Sequence, residues 1–431
     1  MRELSTIVHM HIGGKFVPAG LLTAVEDGRR NSYRFQYGSK YLQRPNAIPV
    51  DPVLLPLEGG AGRVVREELF GGIRDASPDA WGRHVLDTAA EAAGVHLSEF
   101  DYAVWAGPER IGALGFSDDP KIEPFTQFPD WVRGLPGADL DLEGLLKAAD
   151  AVDMEEELAP EFRRFFVRGS SALGGARPKA AVEFEGQQWI AKFDRKREAW
   201  PTCKIEHANM MLAGMCGIRV PKTKLVSVLD REILLVERFD RKLQDGAMHR
   251  IPFISAVTIQ GMTQTEAEEG GSYLKIADSM RRYCEVGTLR QDLEELFRRV
   301  VFNVMCNNSD DHLRNHGFLY SDTGWRLSPA YDVVPQPNMG PEEVRMLHLT
   351  VGPQGRLAKI ENAIAACSSF GLNTEEATHV ALDVQNEFRA NWGQVFGEAG
   401  VHERIKNELY ESFRELYEDI PQVERSASMG M

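Results

Sequence analysis

Asn308-Ser309-Asp310-Asp311-His312-Leu313-Arg314-Asn315, followed by Ala330-Tyr331-Asp332-Val333-Val334, decides how this chain is read. An aspartate, an asparagine five residues on and a second aspartate beyond a short hairpin supply a proton acceptor and two oxygen ligands. Phosphoryl transfer asks for little covalent help from a protein, so a base for the attacking hydroxyl and two magnesium ligands are most of its machinery. A chance D-x-x-x-x-N is common. What gives this one weight is its sequel, a strand pair at Gly317-Phe318-Leu319-Tyr320 and Trp325-Arg326-Leu327 that runs straight on to Tyr331-Asp332. Asp310 is therefore the candidate base, and Asn315 and Asp332 are the candidate metal ligands.

Two other readings of the segment are weaker. An acidic loop with caps would use the same residue types. Metal hydrolysis could use His312 and His316, which stand four apart and would share an ion on a helix. That pattern requires glutamate after the first histidine, where Leu313 stands, and Gly317 ends any helix at once. His312 is read as a residue that packs or hydrogen-bonds to fix the loop, and it is grouped with the cofactor-binding set.

The chain upstream supplies partners for such a loop. Ala180 to Phe184, a turn at Gly186 and Trp189 to Phe193 predict a hairpin that carries Lys192, placed as a kinase places its phosphate lysine. Glu206, on a helix expected over Ile205–Cys216, is the natural ion-pair partner of that lysine. Ahead of the hairpin, Ser170-Ser171-Ala172-Leu173-Gly174-Gly175-Ala176-Arg177-Pro178-Lys179 is glycine-rich. Backbone N–H groups at Gly174, Gly175 and Ala176 can approach phosphate without Cβ obstruction, and Lys179 adds a point charge. It is no Walker loop, since G-x-x-x-x-G-K-[ST] is absent. Glu237-Arg238-Phe239-Asp240-Arg241 closes the last strand of this β-rich part, where backbone groups of Glu237 and Phe239 can meet an adenine edge.

The flanks fit an α+β class. Ile7 to Ile12, Gly13-Gly14 and Lys15 to Val17 predict a hairpin, and Tyr33, Phe35 and Tyr37 alternate as on a half-buried strand. Ser77-Pro78-Asp79 starts a helix expected to reach about Ala93. Residues 118–130 read as a proline-rich linker, and Asp153 to Glu157 as a solvated acidic stretch. Leu289–Val304, Thr374–Phe396 and Glu403–Leu416 read as amphipathic helices. Four segments follow: a β-rich region over 1–125, a lobe with phosphate loop and hinge over 126–240, a helical lobe with the Asp310 loop over 241–421, and a frayed tail over 422–431.

Composition sets the outer limits. The chain has 431 residues, 43% of them hydrophobic and 26% charged, with a formal net charge of −15. So acidic a surface argues against broad unaided binding to nucleic acid or an anionic membrane. Five widely spaced cysteines with no C-x-x-C pair point to a reducing, cytoplasmic setting, and no stretch reaches membrane-spanning length.

With these residues in view, the chain resembles the HipA family of bacterial serine/threonine protein kinases, the toxin half of HipA–HipB toxin–antitoxin modules. The resemblance rests on Phe70-Gly71-Gly72-Ile73-Arg74-Asp75-Ala76-Ser77-Pro78-Asp79-Ala80-Trp81-Gly82-Arg83, on Gly174 to Lys179, on Val236 to Arg241, on Asn308 to Asn315 and on Pro329 to Asp332. It implies a bilobal kinase-like fold with ATP and Mg2+ as cofactors. It makes Asp310 the base, Asn315 and Asp332 the metal ligands and Lys192 a phosphate ligand, with the Glu237 and Phe239 backbones on the adenine. It implies growth inhibition, a HipB-like DNA-binding antitoxin as partner and contact with DNA only through that partner. It also implies autophosphorylation of a loop serine, here Ser171 or Ser170, although Ala172-Leu173 shifts these from Gly174. A small-molecule or lipid kinase, or a catalytically silent nucleotide-binding corepressor, would share the scaffold. Substrate and oligomeric state stay open.

Overall fold

The computed structural model describes residues 1–27, 31–91, 93–125, 141–154, 177–196, 198–337 and 344–420. The chain divides into two compact units. Met1–Ala199, Pro221–Glu266 and Gly317–Trp325 form the first, and Trp200–Val220, Ala267–His316 and Arg326–Met431 form the second. Large sheets lie in the first unit and the longest helices in the second, in the α+β class expected.

The first unit opens with β1 (Arg2–Ile12) and β2 (Lys15–Glu26), joined by Gly13 and Gly14, both in the left-handed region. With β3 (Ser32–Tyr37), β4 (Arg63–Arg66) and β5 (Leu114–Ser117) they form an antiparallel sheet in the order β4-β3-β2-β1-β5. Its core contains Val8, Met10, Leu22, Phe70 and Phe116 with Tyr33 and Phe35, the alternating residues of β3.

A second antiparallel sheet runs β6-β7-β9-β8, from β6 (Lys179–Phe184), β7 (Gln187–Phe193), β8 (Thr223–Val228) and β9 (Arg231–Glu237). Its hairpins turn on Glu185-Gly186 and Leu229-Asp230, all four residues at positive φ, as the tight two-residue turn requires. Here α1 is Gly71–Asp75, α2 is Ala80–Glu91, α3 is Glu99–Trp105 and α4 is Leu142–Asp153. Trp81 and Val85 of α2 and Leu145, Leu146 and Ala149 of α4 share a core with Trp189, Phe193, Ile233 and Leu235 of the sheet. The unit is completed by the hairpin β10 (Arg241–Gln244) and β11 (Ala247–Arg250), and by β12 (Phe253–Ser255) paired with β13 (Gly317–Tyr320).

The segment Phe70 to Arg83 is a packing device. The Gly72 N–H donates to Asp51 Oδ2 at 3.3 Å, and a Cβ on Gly72 would lie 1.8 Å from the Val50 carbonyl oxygen. Asp75 accepts from the Ser255 N–H at 2.6 Å and from its hydroxyl at 2.8 Å. The Trp81 indole donates to the Lys179 carbonyl at 3.0 Å, tying α2 to β6.

The stretch 118–130 does not act as a plain linker at its start. Pro124 is buried against Gly115, and Phe125 meets Phe16 edge-on at 5.6 Å. Proline and aromatic side chains carry apolar surface that a sheet can bury, so their presence did not distinguish a spacer from a packed strap. The remainder, 126–130, lies outside the described residues, as do 155–157 of the acidic stretch.

The second unit contains α5 (Thr202–Met215), α6 (Tyr273–Tyr283), α7 (Leu289–Cys306), α8 (Thr374–Glu398) and α9 (Glu403–Ser412). Asn373 and Glu376 form a reciprocal cap at the start of α8, each side chain accepting from the other's N–H at 2.9 Å. Phe302 of α7 packs on Phe388 of α8 at 5.3 Å, and Phe388 on Phe413 at 5.1 Å. All five cysteines are buried free thiols. Among the described residues, no helix is long and apolar enough to cross a membrane.

Gly72→Ala is expected to lower the unfolding free energy by about 3 kcal/mol, because the added methyl meets backbone that cannot swing aside. Urea unfolding monitored by tryptophan fluorescence measures this, and an unchanged midpoint would contradict the packing described.

Candidate active site

The Asp310 loop begins where α7 stops. Asn307 takes the left-handed conformation (φ 54°, ψ 46°) that ends the helix. Its N–H side faces inward through Asn308, whose backbone N–H and side-chain amide both reach Asn303, at 3.0 and 3.1 Å. Asp310 is exposed, Asp311 is buried, and Leu313–Asn315 forms one turn of 3-10 helix. The Asn315 amide nitrogen donates to the Asp310 carbonyl at 3.3 Å, so the end of Asn315 suited to a cation is its oxygen. His312 is half-buried and meets His348 edge-on at 6.1 Å. His316 lies within hydrogen-bond reach of Asp311, its Nε2 at 2.8 Å. The two histidines thus have different neighbours, and the 3-10 turn between them replaces the helix that a shared metal would need.

Asp332 has φ of 55°, uncommon for a residue with a side chain. Its neighbours are fixed on both sides. The Ala330 N–H donates to the Arg219 carbonyl at 2.7 Å, and the Val333 carbonyl accepts from Asn209 at 2.9 Å. The Tyr331 hydroxyl donates to the Arg314 carbonyl at 2.7 Å, tying this segment to the Asp310 loop. Asn307 and Gln336 join the same two segments, N–H and amide each meeting a carbonyl at 3.0 Å. Backbone in the left-handed region at a residue with a side chain persists only where its surroundings hold it, as they do here on both sides.

In the first unit, Lys179 of β6 and Lys192 of β7 are buried and directly opposite each other in the register. Facing positions put the two side chains on one face of the sheet. Glu206 is buried on α5 of the second unit. Ser170, Ser171, Gly174, Gly175 and Ala176 lie outside the described residues.

The hinge expectation divides between backbone and side chains. The Glu237 N–H donates to the Lys222 carbonyl at 2.9 Å, so the group it can offer a base is its carbonyl. Phe239 lies beside Phe253, ring centroids 6.4 Å apart. The charged residues between and beyond are structural. Arg238 and Arg241 contact Asp240 at 2.8 and 2.6 Å, the Gly112 N–H donates to Asp240 at 2.8 Å, and Arg238 also reaches the Glu109 carbonyl at 2.9 Å. Burial pushes the Asp240 carboxyl up, but the two arginines and the Gly112 N–H outweigh it and hold it far below the usual carboxylate range.

Sequence reasoning missed what lies under the loop. Asp311 Oδ2 accepts from the Tyr273 hydroxyl and from Asn303 Nδ2 at 2.9 Å, beside His316. Burial raises the Asp311 carboxyl, yet the attraction and hydrogen bond of His316, with Tyr273, bring it below its ordinary value. Burial and the Asp311 charge push the Tyr273 phenol well up, so tyrosine donates and carboxylate accepts. The signal was present in α7. Asp292, Glu295, Arg299 and Asn303 recur every three or four residues along a helix otherwise rich in valine, leucine and phenylalanine. All four are buried. Asp292 contacts Arg219 at 3.1 Å and Arg326 at 2.9 Å, Glu295 pairs with Arg219 and Arg299, and Arg299 donates to the Ser328 carbonyl at 2.6 Å.

Residues 171–392, more than half of the chain, match the family described as HipA-like C-terminal domain. This chain belongs to the HipA-like kinase family. It is 26% identical over 349 residues to a Sinorhizobium fredii protein named "Putative kinase Y4mE", covering 77% of this chain and 79% of that one. It is 21% identical over 356 residues to the Shewanella oneidensis protein named "Serine/threonine-protein kinase toxin HipA", covering 76% and 74%. The chain spans about half the length, 55% and 53%, of two further relatives named as kinases. A chain from the Shewanella oneidensis MR-1 complex of HipA, HipB and operator DNA matches with a TM-score of 0.65 at 17% identity, covering 95% of each chain. That likeness shows the α+β, HipA-like fold.

Within this HipA-like chain, Asp240→Asn is expected to cost about 3–5 kcal/mol at neutral pH, since it removes the carboxylate that two buried arginines share and leaves them, among the described residues, only Glu109. A carboxyl lowered by folding stabilises fully above its unfolded value, about pH 4, and loses that contribution as pH falls through the folded one. Denaturant midpoints of wild type and variant should therefore differ steadily near neutrality and converge only in strong acid. A gap that stays constant into acid would contradict the assignment.

Proposed function

We propose that this chain is an ATP- and magnesium-dependent kinase of protein serine or threonine, growth-inhibiting in the cytoplasm and restrained by a HipB-like DNA-binding antitoxin. The observation that carries the reading is the Asp310 loop itself: an exposed aspartate on a turn fastened at both ends, with Asn315 on its carbonyl and the Asp332 segment tied to it through Tyr331. Membership of the HipA-like kinase family and the name of the Shewanella oneidensis relative support it.

Among the described residues no group of three or more His, Cys, Asp or Glu gathers as a metal cage. Nucleotide magnesium needs none. It binds through one or two protein oxygens and completes its octahedron with phosphate and water, so the amide of Asn315 and carboxylate of Asp332 fit as a donor set. The ion, when bound, neutralises charge on the phosphates. Asp310 accepts the proton of the attacking hydroxyl. Lys192 and Lys179 attract the phosphates, and the Glu237 carbonyl and Phe239 backbone orient the base. Ser170 or Ser171 is the residue this reading assigns to autophosphorylation. An antitoxin that binds DNA would account for an acidic chain acting at an operator.

Labelled γ-phosphate transfer from magnesium-ATP, to the chain itself or to casein, tests the proposal. Asp310→Asn is expected to lower the rate by a factor on the order of 10² to 10⁴. A variant as active as wild type would overturn the assignment of the base. Transfer to choline or a lipid headgroup in place of protein would overturn the substrate class.

A further inference from the structure

The loop that presents Asp310 and Asn315 is closed twice. On its outer side Asn315 donates to the Asp310 carbonyl at 3.3 Å. One residue further along each strand of the turn, His316 Nε2 and Asp311 Oδ2 stand 2.8 Å apart on the buried side. The two closures are successive rungs between the same chain segments. The inner rung is the one anchored to the helices: Tyr273 of α6 and Asn303 of α7 both donate to the same Asp311 oxygen, and Asn303 also donates to the Tyr273 hydroxyl at 3.2 Å. The edge of the His316 ring packs against Tyr273 at 5.6 Å. Asp311 is 3% exposed and His316 2%, so neither side chain can meet a protein substrate.

Four polar side chains buried on one point is a costly arrangement unless all are satisfied, and an apolar plug would fill the space as well. The cluster does something an apolar plug would not, which is to fix direction. A carboxylate gripped by three donors holds its backbone at one position and one rotation. Asp310 is the next residue, and its carbonyl is the acceptor for Asn315. Below the cluster lies a cavity of about 10 Å³ lined by Arg299, Asn303, Asp311, Asn315 and His316, among others. His316 Nδ1 and Arg299 Nε and Nη1 are buried there without hydrogen-bond partners.

We propose that Asp311, clamped by Tyr273, Asn303 and His316, is a positioning residue that sets the separation and direction of Asp310 and Asn315 for phosphoryl transfer. The inference rests on the kinase reading above. Asp311 does not touch the reacting groups. It acts through the loop, and its loss should affect the chemical step more than nucleotide binding.

The experiment compares full-length wild type, Asp310→Asn, Asp311→Asn and Tyr273→Phe for loss of labelled γ-phosphate from magnesium-ATP to the chain, to casein or to water. Tyr273→Phe removes the hydroxyl's two hydrogen bonds, to Asp311 and from Asn303, while leaving every loop residue unchanged, and guards against a variant that fails to fold. Misplacement by about 1 Å costs on the order of 100-fold. Asp311→Asn is accordingly expected to lower kcat per folded molecule by roughly 10- to 100-fold, and Tyr273→Phe by a smaller factor in the same direction, with KM for ATP within about twofold. A purely structural role would reduce the folded fraction and melting temperature and leave kcat per folded molecule intact, which would overturn the inference. Should wild type be inactive, the kinase reading fails; should Asp310→Asn be as active as wild type, the assignment of the base fails and the positioning role with it. Should wild type be active, Asp310→Asn dead and Asp311→Asn undiminished, only the positioning role fails.

Discussion

The polar stripe of α7 is the constraint on which the second unit depends. Charged and amide side chains buried on a helix cost several kcal/mol each unless they are paired, and Asp292, Glu295, Arg299 and Asn303 are paired, through Arg219, Arg326, the Ser328 carbonyl and Asp311, with the chain around the helix. Arg219, Arg326, Ser328 and Asp311 are thereby pinned along one helix face. The stripe converts a rigid rod into a ruler. It fixes the hairpin end at Ser328 and the loop at Asp311, and so the two segments that carry Asp332 and Asp310 are referred to one element.

The first unit shows the same economy. Val236 to Arg241 looks in sequence like one charged strand end. In the structure its side chains have a task of their own: Arg238, Asp240 and Arg241 clamp the strand end to residues 109–112. A buried ion network secures the position of this strand end through its side chains.

How much was readable in advance follows from locality. The hairpins were readable because glycine and alternation act within a few residues, and the Glu185-Gly186 turn falls where Gly186 placed it. The helices were readable from spacing, and α7 and α8 extend only two residues beyond the ends expected. The Asp310 loop and the Asp332 segment could be singled out because their members are close in sequence, and Tyr331 and Arg314 tie the two together. Asp311 was not, for a physical reason: beside Asp310 it looks like a second acid of the same kind, and only the tertiary fold turns one outward and the other in. The stripe on α7 was misjudged similarly. Polar residues every three or four positions ordinarily mark a solvent face, and nothing local reveals that this face meets Arg219 and Asp311 instead. The packing of Phe125 was equally invisible, since its partner Phe16 lies more than a hundred residues away.

The central claim is that Asn315 and Asp332 hold a nucleotide's metal while Asp310 faces the phosphate to be transferred. A crystal structure of the full chain with magnesium and a non-hydrolysable ATP analogue tests it most directly. The account predicts the Asn315 amide oxygen and an Asp332 carboxylate oxygen at about 2.1 Å from magnesium, with the Asp310 carboxylate directed at the terminal phosphate. A nucleotide whose metal is bound by other residues, with Asp332 and Asn315 turned away from it, would contradict it.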